Sequence, residues 1–165
     1  MDYIAEIQKK IFLSKQDFSA FLQTWKSQNR KIVFTNGCFD IVHRGHLDYL
    51  AKAAALGDKL MVGLNTDNSV KRLKGSARPV VDAYSRAFLL ASLCFVDAVV
   101  LFDEDTPYHL IEAVQPDVLV KGADYQADAI VGADVVKKKG GDIVTLEFLP
   151  DFSTSSIIEK ILFTS

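Results

Sequence analysis

The sequence predicts an α/β protein in which helices cover both faces of a parallel, doubly wound five-stranded sheet. Short apolar runs rich in Val and Leu, such as Leu60-Met61-Val62 and Val118-Leu119-Val120, recur along the chain. Such runs are typical of strands that are buried on both faces. Helical patterns lie between them, and this alternation indicates a doubly wound sheet.

The predicted elements alternate from residue 31 onward. Strands are expected near 31–35, 59–64, 97–101, 117–121 and 142–147. Helices are expected near 45–56, 82–94, 106–114, 128–138 and 153–162. Ligands of such sheets bind outside the carboxyl ends of the strands, where the strand order reverses. The residues that follow the strands are therefore the first candidates for function.

Residues 1–30 are predicted to be an N-terminal helical extension of a single functional domain, residues 31–165. Ser14 and Asp17 are spaced as a variant of the capping box at the start of a helix. The apolar positions of that helix recur at i, i+3, i+4 and i+7, and they are Phe18, Phe21, Leu22 and Trp25. The first ten residues are predicted to be either a second short helix or an arm that contacts a partner.

Composition limits the classes of function. The chain has 165 residues, of which 49% are hydrophobic, and this is enough for one well-packed domain. Its net charge of -2 offers no general basic surface, so we expect no nucleic-acid partner. Cys38 and Cys94 are too few for a disulfide framework. The first ten residues are charged and mixed, unlike a signal peptide, and no apolar run approaches the ~18 residues of a membrane span. We therefore expect a cytoplasmic protein without a membrane partner.

The stretch from Lys31 to Leu50 carries the strongest functional pattern. An apolar strand leads into the turn Asn36-Gly37-Cys38, and the run His43-Arg44-Gly45-His46 opens a helix. A helix N-terminus after such a turn presents free N–H groups and a positive dipole to an anion. Both imidazoles flank a glycine, where a phosphate group can approach closely. No third metal ligand is obvious beside the pair, so the pattern predicts a site for a phosphorylated ligand.

Two further segments follow predicted strands. Ser153-Thr154-Ser155-Ser156 precedes the last helix, and an N-cap explains one of its hydroxyl groups. The remaining hydroxyl groups favour a phosphate-binding role. The run from Lys121 to Tyr125 follows the strand at Val118 and is, by itself, an ordinary turn.

The segment from Asn65 to Val81 is predicted to be irregular and basic. It carries Lys71, Arg72, Lys74 and Arg78. It is either a solvated surface loop or a mobile lid whose positive charges offset the repulsion between two bound anions. Arg86 lies on the next helix, where its side chain either extends to solvent or enters the site. Cys38 is predicted to be a packed residue rather than a nucleophile, and His109 a surface residue.

Together these motifs resemble the HxGH nucleotidyltransferases, whose fold is Rossmann-like. The branch that they resemble is the adenylyltransferase of D-glycero-β-D-manno-heptose 1-phosphate, which makes ADP-heptose. The segments that carry this resemblance are FTNGCFDIVHRGHLDYL (34–50), GLNTDNSVKRLKG (63–75), RPV (78–80), VDAVVLFDEDTP (96–107), PDVLVKGADY (116–125) and STSSIIEKI (153–161).

The resemblance implies a role for each matching residue. The implied catalytic residues are His43, His46, Lys74 and Arg86. The implied nucleotide-binding residues are Thr35, Asn36, Gly37, Cys38, Phe39, Asp40, Gly45, Lys121, Gly122, Asp124, Tyr125, Thr154 and Ser155. The implied contacts to the acceptor are Asp67, Lys71 and Arg72. Asp40 is the one side chain considered for Mg²⁺, with a role in orienting a histidine or the turn as alternatives.

The resemblance also implies ATP and a small sugar phosphate as substrates, Mg²⁺, a homodimer, and a separate heptose kinase. Two segments depart from the branch: VDAYS (81–85) lacks its usual acidic residues, and KGADY has alanine where glycine is typical. The alternatives are a glycerol-3-phosphate cytidylyltransferase and a non-catalytic nucleotide sensor on the same fold. A pantetheine-phosphate adenylyltransferase is less well matched by residues 96–107 and 153–158.

Overall fold

A six-stranded parallel sheet forms the centre of the molecule. The computed structural model describes residues 1–126 and 129–164. The strands are β1 (Ile11–Phe12), β2 (Ile32–Gly37), β3 (Lys59–Asn65), β4 (Ala98–Phe102), β5 (Val118–Gly122) and β6 (Asp142–Leu146). Their order is β1-β4-β3-β2-β5-β6, and every pair is parallel. The chain runs outward from β2 to β4 and then returns to β5 on the other side of β2, so strand order reverses between β2 and β5.

Eight helices precede, connect or follow these strands within the described residues. They are α1 (Tyr3–Gln8), α2 (Lys15–Ser27), α3 (Arg44–Ala54), α4 (Asp67–Lys74), α5 (Ala83–Ala91), α6 (Tyr108–Val114), α7 (Ala133–Lys139) and α8 (Thr154–Phe163). None of them is long and apolar enough to cross a membrane. The predicted start of α7, residue 128, lies outside the described residues.

Two apolar clusters cover the two faces of the sheet. On one face, α2, α6 and α7 pack through residues such as Phe18, Ile111 and Val136. On the other face, α3 and α5 pack through residues such as Leu50 and Leu90. The strands contribute alternate residues to the two clusters, as the pleat of a buried strand requires. The predicted fold class, a doubly wound parallel α/β sheet, is confirmed.

The N-terminal residues add a strand that the sequence did not predict. Ile11 and Phe12 pair with Val99 and Val100 of β4. Two residues are too few for a visible strand pattern, and the pairing depends on β4, which is distant in sequence. Ser14 is the N-cap of α2, since its hydroxyl accepts a hydrogen bond from the Asp17 N–H at 3.2 Å and donates to the Asp17 carboxylate at 2.8 Å. The division of the chain at residue 30 stays a prediction.

The segment predicted as an irregular basic loop contains α4, and this is a correction. Thr66 caps the helix, because its hydroxyl accepts a hydrogen bond from the Ser69 N–H. Gly75 ends it with a φ of 93°, a conformation that favours glycine. The helix was missed because it has only two buried residues, Ser69 and Val70, and therefore no clear apolar repeat.

Candidate active site

A cleft of about 550 Å³ opens at the carboxyl ends of the central strands. Asn36 and Gly37 of β2, Asn65 of β3, and Lys121 and Gly122 of β5 line it. The cleft therefore lies at the reversal of strand order, where ligands of doubly wound sheets bind. Residues that are far apart in the sequence meet there because parallel strands end at the same edge.

The two histidines of the HxGH motif stack on each other beside this cleft. Their ring centroids are 3.9 Å apart with an interplanar angle of 23°. His43 is the N-cap of α3, and its Nδ1 accepts a hydrogen bond from the Gly45 N–H at 3.1 Å. The proton of neutral His43 therefore lies on Nε2. A Cβ at position 45 would lie 3.0 Å from the His43 ring, so glycine allows this close approach.

Both imidazoles favour the neutral form. Burial, together with smaller effects of the nearby His43 and Lys74, lowers the pKa of His46 to about 4. Burial also lowers the pKa of His43. Near pH 7 each ring is therefore uncharged and carries one N–H donor. Nδ1 of His46 and Oδ1 of Asn36 are buried and have no hydrogen-bond partner among the described residues, so the site holds polar capacity that a ligand can use.

Asp40 fixes the segment after α4 against the histidine turn. Its carboxylate accepts hydrogen bonds from Arg78 Nε at 2.5 Å and from the N–H groups of Val80 and Val81 at 2.8 and 2.9 Å. Burial alone would raise the pKa of Asp40, but these hydrogen bonds from Val81, Val80 and Arg78 hold it below its usual value. Asp40 is thus an anchor of the turn.

Asp40 does not fit the role of a Mg²⁺ ligand. The carboxylate of Asp40, the one side chain considered for Mg²⁺, already accepts hydrogen bonds from Arg78 and two backbone N–H groups. Among residues 1–126 and 129–164, no group of three His, Cys, Asp or Glu side chains is arranged to hold a metal ion. Protein ligands for Mg²⁺ are therefore not assigned.

The loop after β5 forms a mixed polar and aromatic wall of the cleft. Burial lowers the pKa of Lys121 to about 8, against the opposing effect of Asp124, and the Lys121 Nζ lies 5.6 Å from the centroid of the Tyr125 ring. A Cβ on Gly122 would lie 2.2 Å from the Phe148 ring. Only glycine therefore lets the backbone and this ring lie so close together. Lys121 retains its charge for most of the time at pH 7 and suits a phosphate group.

Helix α8 presents its first residue to the cleft. The hydroxyl of Ser153 caps the helix by accepting the Ser156 N–H at 3.0 Å. Thr154 lines the cleft, and its hydroxyl donates to the Ile41 carbonyl at 3.3 Å. Ser155 is exposed and does not line the cleft. The structure thus separates the two hydroxyl groups for which the sequence predicted the same role.

The predicted site residues of helix α4 divide into two groups. Lys74 lines the cleft, whereas Lys71, Arg72 and Asp67 do not. Arg72 bonds the acidic loop after β4 instead. The basic helix α4 therefore offers one of its charges, Lys74, directly to a ligand.

Arg86 is completely buried and does not line the cleft. Its Nη1 donates to the carbonyls of Cys38 and Asn65 at 2.6 and 2.9 Å. Nε donates to the Val81 carbonyl at 2.9 Å, and Nη2 pairs with Asp67 at 2.7 Å. This guanidinium joins the ends of β2 and β3 to the start of α4.

The remaining predicted residues lie in or beneath the cleft. Cys38 and Phe39 line it, and burial raises the pKa of the Cys38 thiol, which favours the uncharged form. Thr35 lies below the surface, where its hydroxyl bonds Tyr49 at 2.8 Å. His109 is exposed, as predicted.

Several cleft residues were not predicted. Asn65 ends a strand, and a polar residue at that position was the signal that could have identified it. Tyr49, Leu73, Asp105, Thr106 and Pro107 line the cleft and lie in segments that carry the resemblance, but no role was predicted for them. Arg78 was predicted only as part of the basic segment. Ile130, Val131 and Phe148 line the cleft and lie outside every predicted motif.

Comparison with protein families gives a match across most of the chain. The profile described as cytidylyltransferase-like matches residues 34–160, which include the histidine pair, the loop after β5 and Thr154. Every strand from β3 onward lies inside the matched region, as do four of the six residues of β2.

Curated relatives are also similar over most of this chain. The bifunctional protein HldE of Campylobacter jejuni is 56% identical over 156 residues, covering 94% of this chain and 32% of the relative. HldE of Wolinella succinogenes is 53% identical with the same coverage. HldE of Helicobacter pylori is 58% identical over 140 residues, covering 85% of this chain and 29% of the relative. This chain spans about a third of the length of these proteins.

Solved structures give the same fold. A lipopolysaccharide core biosynthesis protein from Thermoplasma volcanium is 31% identical with a TM-score of 0.60, and the match covers 73% of this chain and 98% of that one. A pantoate-beta-alanine ligase from Francisella tularensis is 16% identical with a TM-score of 0.62, covering 94% and 78%. The second likeness is one of fold alone.

Proposed function

The chain belongs to the cytidylyltransferase-like family of nucleotidyltransferases, and on that premise we propose that it transfers AMP from ATP to D-glycero-β-D-manno-heptose 1-phosphate. The products are ADP-heptose and pyrophosphate. The observation that carries this proposal is the stacked pair of neutral imidazoles at the N-terminus of α3, beside a cleft that Lys74, Lys121 and Thr154 line. The heptose acceptor is supported by the similarity to the HldE proteins and by the resemblance of six segments to the heptose branch.

The reaction forms one bond and breaks one bond at the α-phosphorus. An anionic oxygen of the sugar phosphate attacks the α-phosphorus of ATP, and the bond to the bridging oxygen of the β-phosphate breaks. That oxygen leaves with pyrophosphate. The attacking oxygen is already unprotonated near pH 7, so no general base and no protein nucleophile is required, and the enzyme contributes positioning and charge stabilisation.

The histidine pair provides donors for the charge that develops during transfer. Nε2–H of His43 is available, because Nδ1 of the same ring accepts the Gly45 N–H. His46 lines the cleft as a second neutral donor. A fixed donor in a site shielded from water typically contributes 10²–10³-fold in rate, about 3–4 kcal/mol. We assign both histidines to the phosphoryl oxygens of the transferred group.

Two lysines and one hydroxyl group at the cleft suit the remaining phosphate groups of ATP and of the sugar phosphate. Lys121 lies at the end of β5 and Thr154 at the start of α8, and we assign both to the triphosphate. Lys74 enters from α4 on the other side, and we assign it to the acceptor phosphate. Attraction to these cations offsets the repulsion between substrates. Magnesium would reach the site as a complex with ATP, since no side chains are assigned to it.

Pyrophosphate release tests the proposal directly. Each of ATP and CTP is supplied with each of heptose 1-phosphate and glycerol 3-phosphate, in Mg²⁺ buffer, and the variant H46A is the matched inactive control. Release with ATP and the heptose phosphate alone is the expected result. Release with CTP and glycerol phosphate would show that the proposed substrates are wrong and that the proposed reaction type is right. Tight nucleotide binding without release from any pair would favour a sensor. The homodimer and the separate kinase stay predictions.

A further inference from the structure

The loop after β4 places an acidic side chain in a cleft that must hold two anions. Asp105, Thr106 and Pro107 all line the cleft. A carboxylate there repels phosphate unless its charge is offset. An ionised carboxylate is, however, a strong hydrogen-bond acceptor for hydroxyl groups. The position of Asp105 therefore suits the hydroxylated part of a substrate.

Arg72 offsets the charge of Asp105 and holds its side chain in place. The Nε of Arg72 lies 2.8 Å from Oδ1 of Asp105. The same guanidinium hydrogen-bonds the Asp103 carbonyl, and its Nη1 lies 3.5 Å from the Asp103 carboxylate. These contacts use several donors of one planar group, which a lysine could not reproduce. Arg72 itself is not among the residues that line the cleft.

Helix α4 and this loop are joined at a second place, near the start of the helix. The Thr66 hydroxyl bonds Asp103, and the Ser69 hydroxyl donates to the Glu104 carbonyl at 3.2 Å. The side-chain amide of Asn65, which lines the cleft, donates to the Ser69 hydroxyl at 2.9 Å. The end of β3, the helix α4 and the loop after β4 therefore form one connected wall.

We propose that this wall recognises the hydroxyl groups of the acceptor sugar, with Asp105 and Thr106 as the contacts and Arg72 as the residue that positions Asp105. This inference rests on the proposed function, since it concerns the acceptor of the same reaction. Arg72 occupies one oxygen of Asp105, and a carboxylate can accept further hydrogen bonds. Lys74, at the end of the same helix, remains for the acceptor phosphate.

The test compares two variants with two matched controls. R72Q and D105N each remove one charge from the wall. R30Q and E104Q make the same charge changes at positions that do not line the cleft. We expect R72Q and D105N to raise the KM for the sugar phosphate about tenfold and to leave the KM for ATP within twofold. The controls should leave both constants within twofold.

The double variant and the melting temperature distinguish positioning from general stability. If Arg72 acts through Asp105, R72Q/D105N should raise the KM for the sugar phosphate no more than D105N alone. The pair is largely exposed, so Tm should change by no more than about 2 °C. The proposal would be overturned if R72Q raised the KM for ATP as much as the KM for the sugar phosphate. It would also be overturned by additive effects on the KM for the sugar phosphate in the double variant, or by an unchanged KM for the sugar phosphate in D105N.

The outcome can be separated from a failure of the proposed function. If the native protein uses glycerol phosphate instead, the same comparison of KM values is made with that acceptor. If it turns over neither acceptor, calorimetry measures binding of heptose 1-phosphate to the native protein and the four variants. Weaker binding of heptose 1-phosphate by R72Q and D105N alone would support the proposed role of the wall. Equal binding by all five proteins would overturn it.

Discussion

Substitution of Arg86 by methionine should cost the fold far more than it costs the chemistry. The side chain is completely buried, and it donates to the carbonyls of Cys38, Asn65 and Val81 and to the Asp67 carboxylate. Methionine fills much of the same volume but donates no hydrogen bond. Each buried acceptor that loses its donor costs about 1–3 kcal/mol, and some of them regain water from the adjacent cleft. We therefore expect R86M to lower the free energy of unfolding by about 3–5 kcal/mol.

Urea denaturation followed by fluorescence measures this change, with R30M as the control. Arg30 is exposed, so its replacement should cost less than about 0.5 kcal/mol. Activity is then compared at a temperature and urea concentration where R86M is still folded. A loss of under 1 kcal/mol in stability together with a hundredfold fall in kcat would refute the positioning role. It would favour the direct catalytic role that the sequence predicted for Arg86.

Three further predictions concern the cleft itself. H46A should lower kcat about a hundredfold or more with an unchanged circular dichroism spectrum, because one donor to the transferred phosphoryl group is lost; a fall of under tenfold would contradict the assigned role. In the native protein the free energy of unfolding should decrease as the pH falls from about 6.5 to about 4, because unfolded His46 binds a proton that the folded ring, with a pKa of about 4, does not. The decrease should stay below about 3 kcal/mol, since the ring is partly open to the cleft, and denaturation curves of H46A should lack this component. G122A should raise the KM for ATP about tenfold, because a Cβ would displace the ring of Phe148. Tm should change little, since that ring is half-exposed. An unchanged KM for ATP would exclude this ring from the nucleotide site.

Local sequence patterns predicted most of the sheet and the centre of the site. Each of the strands β2 to β5 is an apolar run bounded by polar residues, so the composition of the run itself predicts the strand. The histidine pair was predicted because its glycine and its helix start lie within one short segment. Such features depend on neighbours in the sequence and not on distant contacts.

The remaining features depend on contacts between distant residues. The pairing of Asp40 with Arg78 spans 38 positions, and neither residue alone indicates its partner. Asp105 belongs to the run DEDTP, which is typical of a solvated turn. The position of Asp105 in the cleft can be inferred only when the positions of Arg72 and α4 are known. Arg86 illustrates the same limit, because an arginine on an amphipathic helix is compatible with solvent, with a ligand and with a buried network.

The position of β2 at the centre of the sheet has a consequence for how quickly the protein gains activity during folding. Val33 of β2 pairs with Leu60 on one side and with Val118, 85 positions away, on the other. Parallel pairings of such sequence separation form slowly, because a long loop must close before any contact stabilises it. The cleft needs residues of both pairings, so native-like helices should appear in refolding experiments before nucleotide binding does. Recovery of nucleotide binding would then report the completed sheet.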